Sequence, residues 1–229
     1  WFWVFGTLVE EVFGHLKTAI LIFLLTLGSG AMEFALADGG IGLSGVGYGL
    51  FGLLWFLSSR DDRFRSAVDQ RIVQLFVGWF VLCIATTILK IFPVANIAHA
   101  VGAVLGLLTG AAIAVPQRRL TALLAIAVII AFGLWGSILG RPRINLSPRS
   151  GYEEGKWGYD ALVAGRNDEA VRWLGDATIY RPKMPVYWFD LGIAYQRLGN
   201  VKAAIAAYRR AQELDPSDTK YSEAVNALK

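Results

Sequence analysis

Over residues 16–139 the chain runs in long apolar stretches separated by short polar pieces, and from Arg141 onward its composition is that of an ordinary soluble protein. A helix that crosses a bilayer needs about 20 mainly apolar residues. On that measure five spans follow the opening run WFWVFG, over residues 16–36, 42–58, 72–90, 96–115 and 120–139. The connecting pieces ADGG, SSRDDRFRSAVDQR, IFPVA and PQRR are short. The pattern predicts an all-α chain, a polytopic transmembrane helical bundle followed by a small helical domain. The expected division is a membrane domain over 1–140, a linker over 141–152 and a soluble domain over 153–229.

Charge orients the spans. His15 and Lys17, then Arg60, Arg63, Arg65 and Arg71, then Arg118 and Arg119 fall on every second connection. Lys and Arg are retained on the cytoplasmic side, which puts these loops inside and the loops around Asp38 and Pro93 outside. The residues after Arg141 then also lie outside, although Arg141, Arg143 and Arg149 pull the other way. A net charge of +4 spread over such clusters, with no basic stripe interleaved with aromatics, excludes nucleic acid as a partner. The lipid bilayer is the first partner implied. Cys83, the single cysteine, excludes an internal disulfide and reads as a small core residue.

The soluble part repeats. Trp188, Leu191, Gly192, Tyr195, Gly199, Ala204, Tyr208, Ala211 and Pro216 fit the tetratricopeptide pattern, and Gly158, Ala161, Gly165, Ala170, Leu174, Ala177 and Pro182 repeat it 34 residues earlier. Large residues of one helix are expected over small ones of its partner, with a capping helix over 222–228. The concave face of such a stack binds a peptide or protein segment, or the pair of repeats acts as a spacer or a self-association device.

Polar groups inside apolar spans are functional candidates. His99, in NIAHAVGAVLGLLTG, lies about a turn inside its span. Ser44, in GIGLSGVGYGLFG, lies at the same outer end of another. One reading is helix packing, because small residues four apart let membrane helices touch. The other is a Ser–His pair in which the imidazole accepts the serine proton. Gly102, Gly106 and Gly110 form a small-residue ridge on the His99 span, and Gly45, Gly49 and Gly52 lie on the Ser44 span. Their contact would bring the pair within hydrogen-bond reach. A third carboxylate at matching depth is not expected, so the pair reads as a dyad. Neither a cofactor nor a metal is called for. Glu33 either snorkels to the outer surface or pairs locally.

Gly42-Leu43-Ser44-Gly45 with Tyr48 and Gly49, followed by Asn96, Ala98-His99, Gly102 and Gly106, resembles the rhomboid intramembrane serine proteases. The resemblance covers roughly residues 1–114. It implies Ser44 as nucleophile, His99 as general base, Tyr48 packed on the His99 ring, and the Ser44 N–H as an oxyanion donor. Gly102 would let the two helices close. Asn96 matches a family position with a packing or hydrogen-bonding role, and Glu10 or Glu11 falls where the family often carries a Glu. The implied function is serine endopeptidase cleavage of transmembrane segments of other proteins, in a bacterial inner membrane, with the repeats recruiting substrate or partner.

The family also carries H-x-x-x-N on an earlier span. The chain opens in mid-run at Trp1, so that motif, the first span and most of the second are expected upstream. Loss of an oxyanion donor costs about 100- to 1,000-fold in rate, so a chain starting at Trp1 is expected to be weak or inactive. The alternatives are a catalytically idle rhomboid-like protein that binds transmembrane clients, and an anchored repeat scaffold.

Overall fold

The computed structural model describes residues 1–37, 42–89, 91–92, 94–147 and 150–228. Asp38, Lys90, Pro93 and Arg149, on which part of the topology reading rests, lie outside them. Among the described residues all regular structure is helical. The chain divides into two compact units, Trp1–Ile144 and Asn145–Lys229.

The first unit comprises α1 (Phe2–Phe13), α2 (His15–Leu36), α3 (Ser44–Ser58), α4 (Gln70–Ile88), α5 (Asn96–Ala114) and α6 (Arg119–Trp135). α6 continues through a π-helical turn, Gly136–Gly140, into the short α7 (Arg141–Ile144). Among the described residues, four segments are long and apolar enough to cross a membrane: His15–Leu36, Gln70–Ile88, Asn96–Ala114 and Pro116–Gly140. The expected span at 42–58 is instead the 15-residue α3, starting at Ser44. This helix is buried from Gly45 to Leu54, so protein rather than lipid surrounds it and bilayer thickness does not set its length.

Contacts at the glycines give the helix directions. Gly28 faces Leu105 and Ile130, Gly45 faces Ser29 and Ala98, and Gly133 faces Met32. α3 and α5 are therefore parallel to each other and antiparallel to α2, with α6 parallel to α2. Lys17, Arg60 and Arg119 share one end of the unit; Ser44, His99 and Arg141 share the other. The Arg141 guanidinium stands 4.0 Å over the Phe34 ring and donates to the Phe34 and Ala37 carbonyls, which the end of α2 leaves without helical partners. Phe5, Leu25, Leu50, Leu53, Leu54, Leu57 and Leu105 form the core.

The second unit holds two helix pairs, α8 (Tyr152–Val163) with α9 (Asn167–Tyr180) and α10 (Pro185–Arg197) with α11 (Val201–Leu214), capped by α12 (Thr219–Asn226). Large residues sit over small ones: a methyl on Gly192 would stand 2.5 Å from the Tyr208 ring, and one on Gly158 2.5 Å from Leu174. Gly165 and Gly199 turn the chain within each pair at φ of 73° and 77°, a conformation few other residues adopt. The capping helix begins three residues before its expected start because the Asp218 carboxylate accepts the Lys220 N–H and caps it.

Candidate active site

α3 and α5 touch backbone to backbone. A methyl on Gly102 would stand 2.0 Å from the Gly45 carbonyl oxygen, one on Gly106 1.9 Å from that of Gly49, and one on Gly52 2.3 Å from that of Ala103. Gly110 continues the seam against Phe56. Such approach is possible only without side chains, the general basis of small-residue contacts in membranes. Its consequence here is local. Ser44 is the first residue of α3, beside Gly45, and His99 lies one turn before Gly102, so both occupy the same end of the seam.

Ser44 is exposed and His99 is 3% exposed. No hydrogen bond joins them, and among the described residues the buried Nδ1 of His99 has no partner. The ring is held by stacking instead. Tyr48 lies one turn below Ser44, its ring 4.6 Å from that of His99 and 24° from parallel. The Tyr48 hydroxyl donates to the Phe76 carbonyl of α4 at 3.0 Å. His99 also lines a 150 Å³ cavity with Phe76, Phe80 and Trp55.

Asn96 opens α5 and ties it to α4, its amide donating to the Thr87 hydroxyl at 2.8 Å and to the Cys83 carbonyl at 3.5 Å. Gly42 lies exposed two residues before Ser44 and takes no part in the helix seam. Cys83 is buried. Glu10 is at the far end of the unit, bonded to the exposed His15 ring.

One expectation is corrected. A carboxylate does stand at the depth of His99: Glu33, 5% exposed, accepts the Ala98 N–H at 2.9 Å. Glu33 occupies the last turn of α2, and the antiparallel arrangement brings that turn to the first turn of α5. Glu33 bonds the backbone there and not the His99 Nδ1, so it is not a third member of a triad. The sequence signal was an ionisable group in a span, which marks a functional position without naming its partner.

Residues 1–117 match the family model of the Rhomboid domain, and residues 156–219 match that of the Tetratricopeptide repeat. Among curated proteins, the chain is 29% identical over 127 residues to "Rhomboid protease GlpG" of Enterobacter sp. (strain 638), covering 53% of this chain and 44% of that protein. It is 33% identical over 115 residues to the protein of the same name from Klebsiella pneumoniae subsp. pneumoniae, covering 47% and 38%. The chain thus spans less than half the length of these relatives. No solved structure matches it significantly. With its apolar helices, this makes the chain a multi-pass membrane protein carrying a helical-repeat region.

Proposed function

Because the chain belongs to the rhomboid family, we propose that its membrane unit is an intramembrane serine endopeptidase with Ser44 as nucleophile and His99 as general base. The observation that carries this reading is the glycine seam, which holds the first turns of α3 and α5 together with Tyr48 stacked on His99. The Ser44 hydroxyl attacks the scissile carbonyl while His99 takes its proton. His99 then returns the proton to the leaving amine, and water releases the acyl group in a second round. The Ser44 N–H begins α3, where N–H groups lack helical partners and the helix dipole favours negative charge. It serves as an oxyanion donor. An imidazole oriented by stacking rather than by a carboxylate fits a dyad.

Substrates on this reading are transmembrane segments with small or helix-weakening residues near the outer surface, the face that supplies water. α6 ends beside the end of α2, where Arg141 bonds the Phe34 and Ala37 carbonyls. In the positive-inside orientation of an inner membrane, the residues after Arg141 lie outside. The repeats recruit substrate or a regulatory protein there.

The test is labelling of the full-length protein in native membranes with a fluorophosphonate probe, beside Ser44→Ala and His99→Ala. Labelling that requires both residues supports the reading. A silent parent beside a labelled rhomboid control would instead indicate an idle dyad and a client-binding role.

A further inference from the structure

At the end of the membrane unit opposite Ser44, an apolar cavity of about 540 Å³ lies between α1, α2, α5 and α6. Leu24, Leu25, Leu105, Ile126 and Ile130 form its walls, and Lys17 and Arg119 stand at its rim. Leu24 and Leu123 on its membrane side are exposed, so the cavity is open to lipid. Among the described residues no carboxylate forms an ion pair with either cation. α2 begins two residues before Lys17 and α6 begins at Arg119, so two helix N-termini converge on the same rim. Their helix dipoles add to its positive character.

We propose that this cavity binds one anionic phospholipid, an acyl chain lying along the walls and the phosphate between Lys17 and Arg119. Two observations support that occupant over others. The walls are hydrocarbon and the rim is cationic, the division a charged lipid has along its own length. The rim also lies at the end rich in Arg60, Arg63, Arg65 and Arg71, the side on which the leaflet carries anionic headgroups and juxtamembrane basic residues attract them. A lipid seated there fills the seam between α6 and the remaining helices. The site does not depend on the reading of Ser44.

The test is native mass spectrometry of the full-length protein in non-ionic detergent. It is titrated with phosphatidylglycerol and with phosphatidylcholine of the same chains. The expected result is one retained phosphatidylglycerol per chain, with phosphatidylcholine held more weakly. Lys17→Gln with Arg119→Gln should weaken phosphatidylglycerol by about 30-fold. Arg65→Gln with Arg71→Gln, at the same end but off the cavity, should leave binding unchanged. Thr109→Phe, which fills the cavity, should lower the affinity for both lipids. Both cation variants lie on the exposed surface, so they remain informative if Thr109→Phe does not fold. Equal retention of the two lipids would overturn the proposal. So would an equal loss in Arg65→Gln with Arg71→Gln, full competition by inorganic phosphate, or a dimer that lipid does not displace.

Discussion

The Glu33 carboxylate accepts the backbone N–H of Ala98 at 2.9 Å, fastening the last turn of α2 to the first turn of α5 one residue before His99. The first N–H groups of a helix lack partners within it, and a buried carboxylate needs donors. Each group meets the other's need. Glu33→Gln keeps an acceptor and is expected to stay near wild type. Glu33→Leu takes that acceptor from the Ala98 N–H and should cost about 1–3 kcal/mol, with slower probe labelling as His99 loses its footing. Thermal unfolding in detergent and labelling rates check this; a Leu variant as stable and reactive as the Gln variant would refute it.

The glycine seam has a matched control within the protein. Gly102→Ala places a methyl 2.0 Å from the Gly45 carbonyl, whereas Gly78→Ala on α4 meets nothing within 4 Å. The first should destabilise by about 1–3 kcal/mol or more and part Ser44 from His99, abolishing labelling. The second should leave both unchanged. Parallel melting curves and labelling of the two variants decide the matter.

Ser44 and His99, if they act as one unit, will not contribute separately. Ser44→Ala and His99→Ala should each lower turnover by about 10⁴-fold or more, and the double variant should be no worse than either. Additive losses, measured on a transmembrane substrate in vesicles, would count against a dyad.

Tyr48 separates stacking from hydrogen bonding. Tyr48→Phe retains the ring against His99 and gives up only the hydroxyl bond to the Phe76 carbonyl. It should keep most activity. Tyr48→Ala frees the imidazole and should cost up to about 100-fold, the scale of a small misplacement. The informative readout is turnover at saturating substrate, with His99 ring signals followed by NMR.

In the repeat unit, burial pushes the Asp190 carboxyl up from its ordinary 3.8 to about 6, against the pull of Lys220. The folded chain therefore holds this proton more tightly than the unfolded chain. Local stability is fully present below about pH 4 and declines as pH rises through about 6. Asp190→Asn should remove that decline and protect α10 and α11 at pH 7 by roughly 1–2 kcal/mol. Hydrogen exchange of those amides, compared at pH 4 and pH 7 in the intact protein, is the measurement.

The long helices were legible because each carries its own evidence, an apolar run of sufficient length. Ser44 and His99 stood out for the converse reason, as polar groups where hydrocarbon is expected. The glycines at four-residue spacing on both sequences pointed to a close contact between the two helices. The partner of Glu33 could not be read, because it depends on how α2 slides against α5, 65 residues away, and no spacing encodes that offset. The start of α3 was equally hidden: the run over 42–58 gives no break before Ser44, yet the helix begins there. The cavity beside α6 draws its walls from four helices and exists only once they are assembled.

α3 has 15 residues and so is about 22 Å long, against a hydrocarbon layer of about 30 Å. Its far end is followed by Arg60, which stands over the Phe56 ring and belongs at the headgroup level. Anchored there, the helix stops roughly 8 Å short of the opposite surface. In a bilayer spanned from that anchor, Ser44 would lie below the outer surface by a depth that belongs to the lipids as much as to the protein. Each ångström by which a membrane thickens is added to that depth, so membranes of different thickness would present the same chain with differently submerged hydroxyls.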